Sequence, residues 1–176
     1  MIKKFQHFQE NEHIENNIDK IELFKKSAIE VCNKLVQEKL SHLDIQNYTY
    51  STAEAISELG LDEELVNQLV DDYVAQIIKA IIQFDEYMEK LKESQNREIE
   101  LDYTLFRELA HKNLGVARNL RIRDAEKLLY ELMKKDDLEY LLTCLEALKL
   151  CAIKLRPQCA YNTIKLIKVK NSLFKL

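Results

Sequence analysis

The sequence is short of the residues that bend a chain. Its 176 residues include only two glycines and one proline, far below average usage, and no tryptophan. Few turns are therefore available, and the secondary-structure elements must be long. Apolar residues make up 47% of the chain and recur mostly at helical spacing, which predicts an all-α fold. A Gly-rich phosphate loop is absent from the sequence, which argues against the common nucleotide-binding classes.

Long apolar runs and paired cysteines are also missing. No apolar run approaches the length of about 18 residues that a membrane span requires, and the polar start MIKKFQHFQENEH does not resemble a signal peptide. The four cysteines include no CxxC pair, so no metal motif is evident. We therefore expect a cytoplasmic protein without a membrane partner, a metal or a cofactor.

Acidic residues stop at Glu146. All 30 of them lie within residues 1–146, which carry 19 of the 26 basic residues, so that segment has a net charge of −11. The remaining seven Lys and Arg give the end of the chain a charge of +7. A basic tail can attract nucleic acid or anionic lipid. We expect it instead to lie against the acidic body, with no nucleic-acid partner.

The first long apolar pattern predicts a helix over residues 14–41. Residues 43–50 follow as a connection. The apolar stripe of the helix must be buried against the rest of the protein or against a second copy, so a homodimer through this helix is one expected arrangement. The stripe consists of Ile14, Ile18, Ile21, Ala28, Val31 and Leu35, with Phe24 and Cys32 beside it.

Capping signals mark where the later helices begin and end. Ser51 and Glu54 have the spacing of a capping box, and Gly60 suits the end of the short helix that follows. Asp62 is expected to cap a long helix that runs to about Lys92. The other predicted features are a loop at 93–100, helices starting at Asp102, Asp124 and Asp136-Asp137, a break at 121–123, and a stop at Pro157.

Four of these helices have short links. They span residues 62–92, 102–120, 124–134 and 137–155, and such a series predicts an antiparallel up-down four-helix bundle. The expected organisation is an N-terminal helical extension over 1–50, the bundle over 51–156 and the basic tail over 157–176. Within the tail, the alternation in Thr163–Val169 is compatible with a strand or a helix.

The helix over 102–119 contains the one group of residues that suggests chemistry. His111 is the only histidine after residue 42, and Gly115 lies one turn later on the same face. Arg107 lies one turn before His111, and Arg118 seven residues after it. Glycine inside a helix costs about 1 kcal/mol relative to alanine. The opposite, apolar stripe is predicted to comprise Leu105, Leu109, Val116 and Leu120, with Phe106 and Ala110 on its flank.

Such a pattern fits a residue that accepts and passes on a phosphoryl group. Because His111 lies off the apolar stripe, it should reach solvent, where a neutral imidazole nitrogen is a nucleophile. Arginines favour phosphoryl groups through charge-assisted hydrogen bonds, and Gly115 removes a side chain where a partner needs close approach. A single histidine on a helix is more often structural, and this alternative stays open here.

The chain resembles a histidine-containing phosphotransfer (HPt) domain from Leu59 to Leu155. The stretch LGLDEELVNQLVDDYVAQIIKAI resembles the first long helix of that family, and LAHKNLGVARNLRI resembles its signature HxLKGxxxxLG. DAEKLLYELMKKDDLEYLLTCLEALKL resembles its last two helices. The resemblance implies a four-helix bundle, with His111 as the phosphoacceptor and Gly115 as the motif glycine. It also implies partners: receiver domains of response regulators or hybrid histidine kinases.

The signature departs from the family at several positions. Asn113 replaces the motif leucine, Leu114 replaces the motif lysine, and Arg121 replaces the second glycine. Lys112 or Arg118 could supply the missing charge. Because the family carries phosphate without being a kinase, autonomous catalysis is not expected. Two alternatives remain: a degenerate HPt-like domain that binds a receiver or kinase without phosphorylation, and an unrelated helical interaction module.

Overall fold

In a computed structural model, the backbone is described for residues 2–173 and the side chains for residues 17–173. Within this part of the chain the regular structure is helical, and no strand is present. The all-α prediction is therefore confirmed. The helices are α1 (Ile2–Lys39), α2 (Ala53–Leu59), α3 (Glu63–Asn96), α4 (Thr104–Asn119), α5 (Arg123–Lys134), α6 (Leu138–Leu155) and α7 (Pro157–Leu173), with a short 3-10 helix at Ser41–Leu43.

Most of the predicted helix ends are confirmed because they depend on local chemistry. Gly60 ends α2 in the left-handed conformation, with φ +65°. The side chain of Asp62 accepts a hydrogen bond of 2.8 Å from the backbone N–H of Leu65, and Asp137 caps α6 in the same way. The predicted loop at 93–100 is shorter, because α3 continues to Asn96.

Asp102 lies one residue before the cap position of α4, which Tyr103 occupies. Two other predicted caps are also wrong. The Ser51–Glu54 capping box does not form, because the Glu54 carboxylate is paired with Arg123 at 2.6 Å. Asp124 lies inside the first turn of α5, after Ile122 at the cap position, and it is buried. For Glu54, a contact with a distant part of the chain replaces the local arrangement. Pro157 ends α6 as expected, but it also begins α7, so the stretch left open at 163–169 is helical.

The helices α3 to α6 pack in a closed ring. Helix α3 contacts α4 and α6, and α5 contacts the same two helices from the other side. Their buried side chains form one apolar core that includes Phe84, Phe106, Leu129 and Leu141. The rings of Phe84 and Phe106 meet edge to face with centroids 5.0 Å apart, joining α3 to α4.

Helices α1 and α7 add to this core from outside the ring. Helix α1 packs on α6 and α7, and α7 also contacts α3, so the basic tail does lie against the rest of the chain. The predicted stripe of α1 is partly wrong, because Ile18 and Val31 are exposed. Ile14 lies outside the described side chains. Among the described side chains of α1, Ile21, Ala28, Cys32 and Val36 are buried, and so is Leu40 directly after the helix.

The connection between α1 and α2 is fastened to the turn between α4 and α5. The hydroxyl of Tyr50 donates a hydrogen bond of 2.8 Å to the carbonyl of Leu120, and that of Tyr48 donates one of 3.0 Å to Arg121. Arg121, which replaces the second motif glycine, has φ +58° and pairs with Glu58. The turn thus keeps a left-handed conformation without glycine.

Within the described part of the chain, no helix combines the length and the apolar character needed to cross a membrane.

Candidate functional site

Helix α4 presents one continuous exposed face. All of the exposed residues of this helix fall within one side of a helical projection, and the buried residues fall on the opposite side. The exposed residues are Thr104, Leu105, Glu108, His111, Lys112, Gly115, Arg118 and Asn119. The buried residues are Phe106, Ala110, Asn113, Leu114 and Ala117. His111 therefore lies on the solvent face, as the sequence pattern indicated.

The predicted apolar stripe of α4 is misplaced. Leu105 is 55% exposed, whereas Leu114 is 1% exposed and belongs to the core. Leu109 and Val116 lie at the edges of the core. The buried stripe is centred on Ala110 and Leu114, about one residue around the helix from the predicted one, because α3 and α5 pack against α4. The motif position of the family's lysine thus points into the core here.

Gly115 lies one turn beyond His111, and it is exposed. A Cβ atom built at this position would meet no other heavy atom within 4 Å among the described residues. Packing within the chain therefore gives no reason for a glycine, although glycine inside a helix is destabilising. The result is a bare stretch of helix backbone beside the imidazole, open to anything that approaches from solvent.

The two predicted arginines are both paired with carboxylates. Arg107 forms an ion pair with Asp136, at the turn between α5 and α6, and its guanidinium lies 4.8 Å from the centre of the Tyr103 ring. Nε of Arg118 is 2.9 Å from Oε1 of Glu126 on α5. Both pairs are substantially exposed, so each contributes little to stability and can exchange for a stronger anion. In this arrangement the α5 side of His111 carries little net charge.

Lysines lie on the other side of the site. Lys112 and Lys79 line one groove of about 370 Å³ between α4 and α3, together with Gln76, Gln83 and Asp72. Within the described residues, neither lysine forms an ion pair with a carboxylate of the chain. The groove therefore holds two ammonium groups against one carboxylate, and its net charge is positive.

Two exposed charges near His111 were missed from the sequence. Glu108 lies three residues before His111 on the same face of α4, and helical spacing alone would have found it. Lys79 belongs to α3, and its position beside Lys112 follows only from how the two helices pack. No local signal in the sequence points to it.

Asn113 is buried at the position of the motif leucine, with 1% of its surface exposed. Nε2 of Gln76 on α3 donates a hydrogen bond of 2.8 Å to its Oδ1, and its own Nδ2 donates one of 2.9 Å to the carbonyl of Leu109. The side chain is thus satisfied although it is buried. It fixes α4 against α3 two residues after the histidine.

No metal site accompanies these residues: the described part of the chain holds no group of three or more His, Cys, Asp or Glu side chains arranged to bind an ion.

Comparison with known proteins adds no relative: the chain matches no protein-family model, no curated protein and no solved structure.

Proposed function

We propose that this chain is a phosphorelay carrier of the HPt type. A nitrogen of the His111 imidazole would attack the phosphorus of an aspartyl phosphate on a receiver domain. The P–O bond to the aspartate breaks as the N–P bond forms, and a second receiver then takes the phosphoryl group from His111. The partners are a response-regulator receiver or a hybrid histidine kinase. The receiver, not this chain, supplies the rest of the chemistry.

The observation that carries this proposal is the pairing of an exposed imidazole with a bare turn of helix. His111 lies in the middle of a 16-residue helix, and Gly115 leaves open space one turn away. A histidine that only stabilised the fold would be buried or hydrogen-bonded within the chain. Within the described residues, no hydrogen bond of His111 to another side chain is present.

Helix packing is a second support. The ring of contacts among α3, α4, α5 and α6 is what an antiparallel up-down four-helix bundle produces, and we propose this arrangement for residues 51–156. The N-terminal helix and the basic tail would then be additions to the outside of the bundle. In such a bundle the histidine helix offers its outer face to a partner, while its inner face packs against α3 and α5.

We propose that Lys112, with Lys79 beside it, supplies the positive charge that the motif lysine provides in the family. An ammonium group stabilises a phosphoryl group as a point charge. Arg107 and Arg118 would bind the phosphoryl group only after their ion pairs with Asp136 and Glu126 break. With the positive charge supplied from this groove, the position of the signature lysine can be occupied by the apolar residue Leu114.

A second candidate function is docking without phosphorylation. The observation that favours it is the ion pairing of both arginines together with the burial of Leu114. These features leave the α5 side of His111 without a charge that could hold a phosphoryl group. A domain of this kind would occupy a receiver and block its other partners.

Phosphotransfer from labelled receivers tests both candidates. Receiver domains from the same genome are phosphorylated with labelled phosphate and mixed with the wild-type chain, with His111→Gln and with His42→Gln. The last variant is a matched control, because His42 is exposed but distant in the sequence and hydrogen-bonded to Tyr140. We expect an acid-labile, base-stable label on the wild type and on His42→Gln, and none on His111→Gln.

Other results have definite meanings. Saturable binding to one receiver without label supports the docking candidate and rejects the carrier. Neither label nor binding across the set rejects both, and would favour a helical interaction module. Circular dichroism of His111→Gln is part of the test, since an unfolded variant would show that His111 is structural.

A further inference from the structure

A pair of cysteine thiols is buried where α1 meets α6. The Sγ atoms of Cys32 and Cys151 are 3.8 Å apart, and the two residues are at most 5% exposed. They are separated by 119 positions in the sequence, so only the folded chain brings them together. Cys144 is also buried, but neither it nor Cys159 has another thiol as a hydrogen-bond partner among the described residues.

The pair belongs to the apolar core, but two buried polar groups lie near it. The carboxyl of Asp124, on α5, lies beside the thiol of Cys151. The hydroxyl of Tyr73, on α3, is buried without a hydrogen-bond partner in the described part of the chain, and it feels the charges of Asp124 and Cys151. Cysteines that act only as small hydrophobes lie among apolar side chains. The setting therefore indicates thiols whose chemistry differs from that of a packing residue.

The two thiols also differ from each other. A hydrogen bond from the Cys151 thiol lowers the pKa of Cys32, and the ammonium of Lys154 acts in the same direction. The pKa of Cys151 is raised, first by this same hydrogen bond and then by burial. Both pKa shifts favour the thiolate on Cys32 over Cys151, and when Cys32 is ionised the Cys151 thiol donates the hydrogen bond.

A cavity that is open to solvent reaches one residue of the pair. It has a volume of about 580 Å³, and its wall includes Cys151, Asp124 and Lys154 together with Tyr48 and Tyr50. A small polar oxidant such as hydrogen peroxide fits easily within this space. Larger disulfides would have to reach a sulfur that is almost fully covered, which favours peroxide as the reactant.

We propose that Cys32 and Cys151 are a redox modification site, and that hydrogen peroxide converts them into a reversible disulfide joining α1 to α6. The Cys151 thiol first gives its proton to the Cys32 thiolate, and the Cys151 thiolate formed in this way attacks one peroxide oxygen. The O–O bond breaks, and the hydroxide released takes a proton from solvent to become water. Cys151 is now a sulfenic acid.

The second step closes the bridge. The sulfur of Cys32 attacks the sulfur of Cys151, the S–O bond breaks, and the hydroxide leaves with the proton of Cys32 as water. In total two thiols and one hydrogen peroxide give one disulfide and two waters. Each sulfur loses one electron, and the peroxide takes up both. This chemistry is independent of the proposed role of His111.

The bridge would hold α1 on the outside of the helical ring. Because it closes a loop of more than 100 residues, it restricts the unfolded chain strongly. We expect the melting temperature of the oxidised protein to rise by about 5–10 °C. Reduction with dithiothreitol should return it to the starting value, which makes the modification reversible.

Mass spectrometry of the full chain tests the proposal. The reduced protein is treated with hydrogen peroxide, and its free thiols are then blocked. We expect the oxidised protein, measured before the thiols are blocked, to be lighter than the reduced protein by about 2 Da, the mass of the two hydrogen atoms lost. After proteolysis, a disulfide should join the peptide that contains Cys32 to the peptide that contains Cys151. The Cys144→Ser/Cys159→Ser variant should keep this link, and Cys32→Ser should lose it.

Three results would overturn the proposal: thiols that remain free under peroxide, added oxygen without a link, or a link between two chains. The link is mapped on the wild-type protein, so the test does not depend on whether Cys32→Ser folds. A melting temperature that stays constant despite a complete link would reject the stabilisation of α1.

Discussion

Gln76 on α3 donates a hydrogen bond of 2.8 Å to Oδ1 of Asn113 on α4. This contact joins the histidine helix to its neighbour two residues after His111, at a position where the HPt signature has an apolar residue. Because Asn113 is almost fully buried, the amide must keep its partners or lose stability. The amide at position 113 is therefore part of the packing between α3 and α4.

Replacing Asn113 with alanine should lower the free energy of unfolding by about 1–3 kcal/mol, since it leaves Gln76 without its partner and opens a small cavity. Urea denaturation of Asn113→Ala, Gln76→Ala and the double variant measures the effect. The double variant should lose less than the two single losses added together. Strictly additive losses would show that the two side chains do not interact.

Gly115→Ala should raise the free energy of unfolding by about 1 kcal/mol, because the added methyl group meets no atom and alanine favours the helix. Gly60→Ala is the matched control. It should lower the same quantity by about 1–2 kcal/mol, since Gly60 has φ +65°, which is strained for other residues. Chemical denaturation measures both.

A larger residue at position 115 should weaken partner binding without lowering the stability of the fold. Gly115→Leu should fold at least as well as the wild type, yet bind a receiver more weakly, because its side chain stands beside the imidazole. Unchanged receiver affinity in a binding titration would place the docking face elsewhere on the molecule.

Asp124 should make stability depend on pH. Burial raises its pKa in the folded chain above the ordinary value of 3.8. As pH increases past that value, the folded state holds more protons than the unfolded state, so the free energy of unfolding falls. Asp124→Asn removes this titration. We expect the wild type to lose stability relative to the variant as pH rises from about 4 towards neutrality.

Urea denaturation of both proteins at a series of pH values measures this difference. The variant keeps an oxygen that can accept the hydrogen bond from the backbone N–H of Ala125, which Asp124 accepts at 2.7 Å. A difference in stability that is constant across the series would mean that burial of Asp124 does not perturb its titration.

Glu126 should restrain Arg118. If Arg118 binds the phosphoryl group, Glu126→Gln releases its guanidinium and should speed phosphorylation of His111, whereas Arg118→Ala should slow it. We expect changes of up to about tenfold, equal to about 1.4 kcal/mol in activation free energy. Initial rates of label transfer measure them. Identical rates in both variants would assign the phosphate contact to Lys112 and Lys79 alone.

The Lys79→Ala and Lys112→Ala variants complete this comparison. Each should slow transfer to His111, with the circular dichroism spectrum unchanged, because both lysines are exposed. If neither variant alters the rate, the groove between α3 and α4 has no part in phosphate binding.

Features that depend on a few neighbouring residues were predictable from the sequence. The left-handed end of α2 at Gly60, the caps at Asp62 and Asp137, and the break at Pro157 all follow from the backbone chemistry of single residues. The position of His111 off the buried stripe also follows, since helical spacing separates it from the apolar residues of α4.

Features that depend on packing were not predictable in the same way. Leu105 and Leu114 are the same residue type, and only the direction from which α3 and α5 approach α4 decides that Leu114 is buried. Glu54 could cap its own helix, but Arg123 is a better partner once the α4–α5 turn is near. The partners of Arg107 and Arg118 likewise come from α5 and the turn that follows it.

The sequence by itself determined a helical protein with few turns, because it holds too little glycine and proline to bend and its apolar residues repeat with the period of a helix. It also determined that one helix carries an outward histidine and a glycine on the same face. Only the tertiary structure decided which charges surround that histidine and which cysteines meet. These depend on long-range packing, which brings together residues that no local pattern relates.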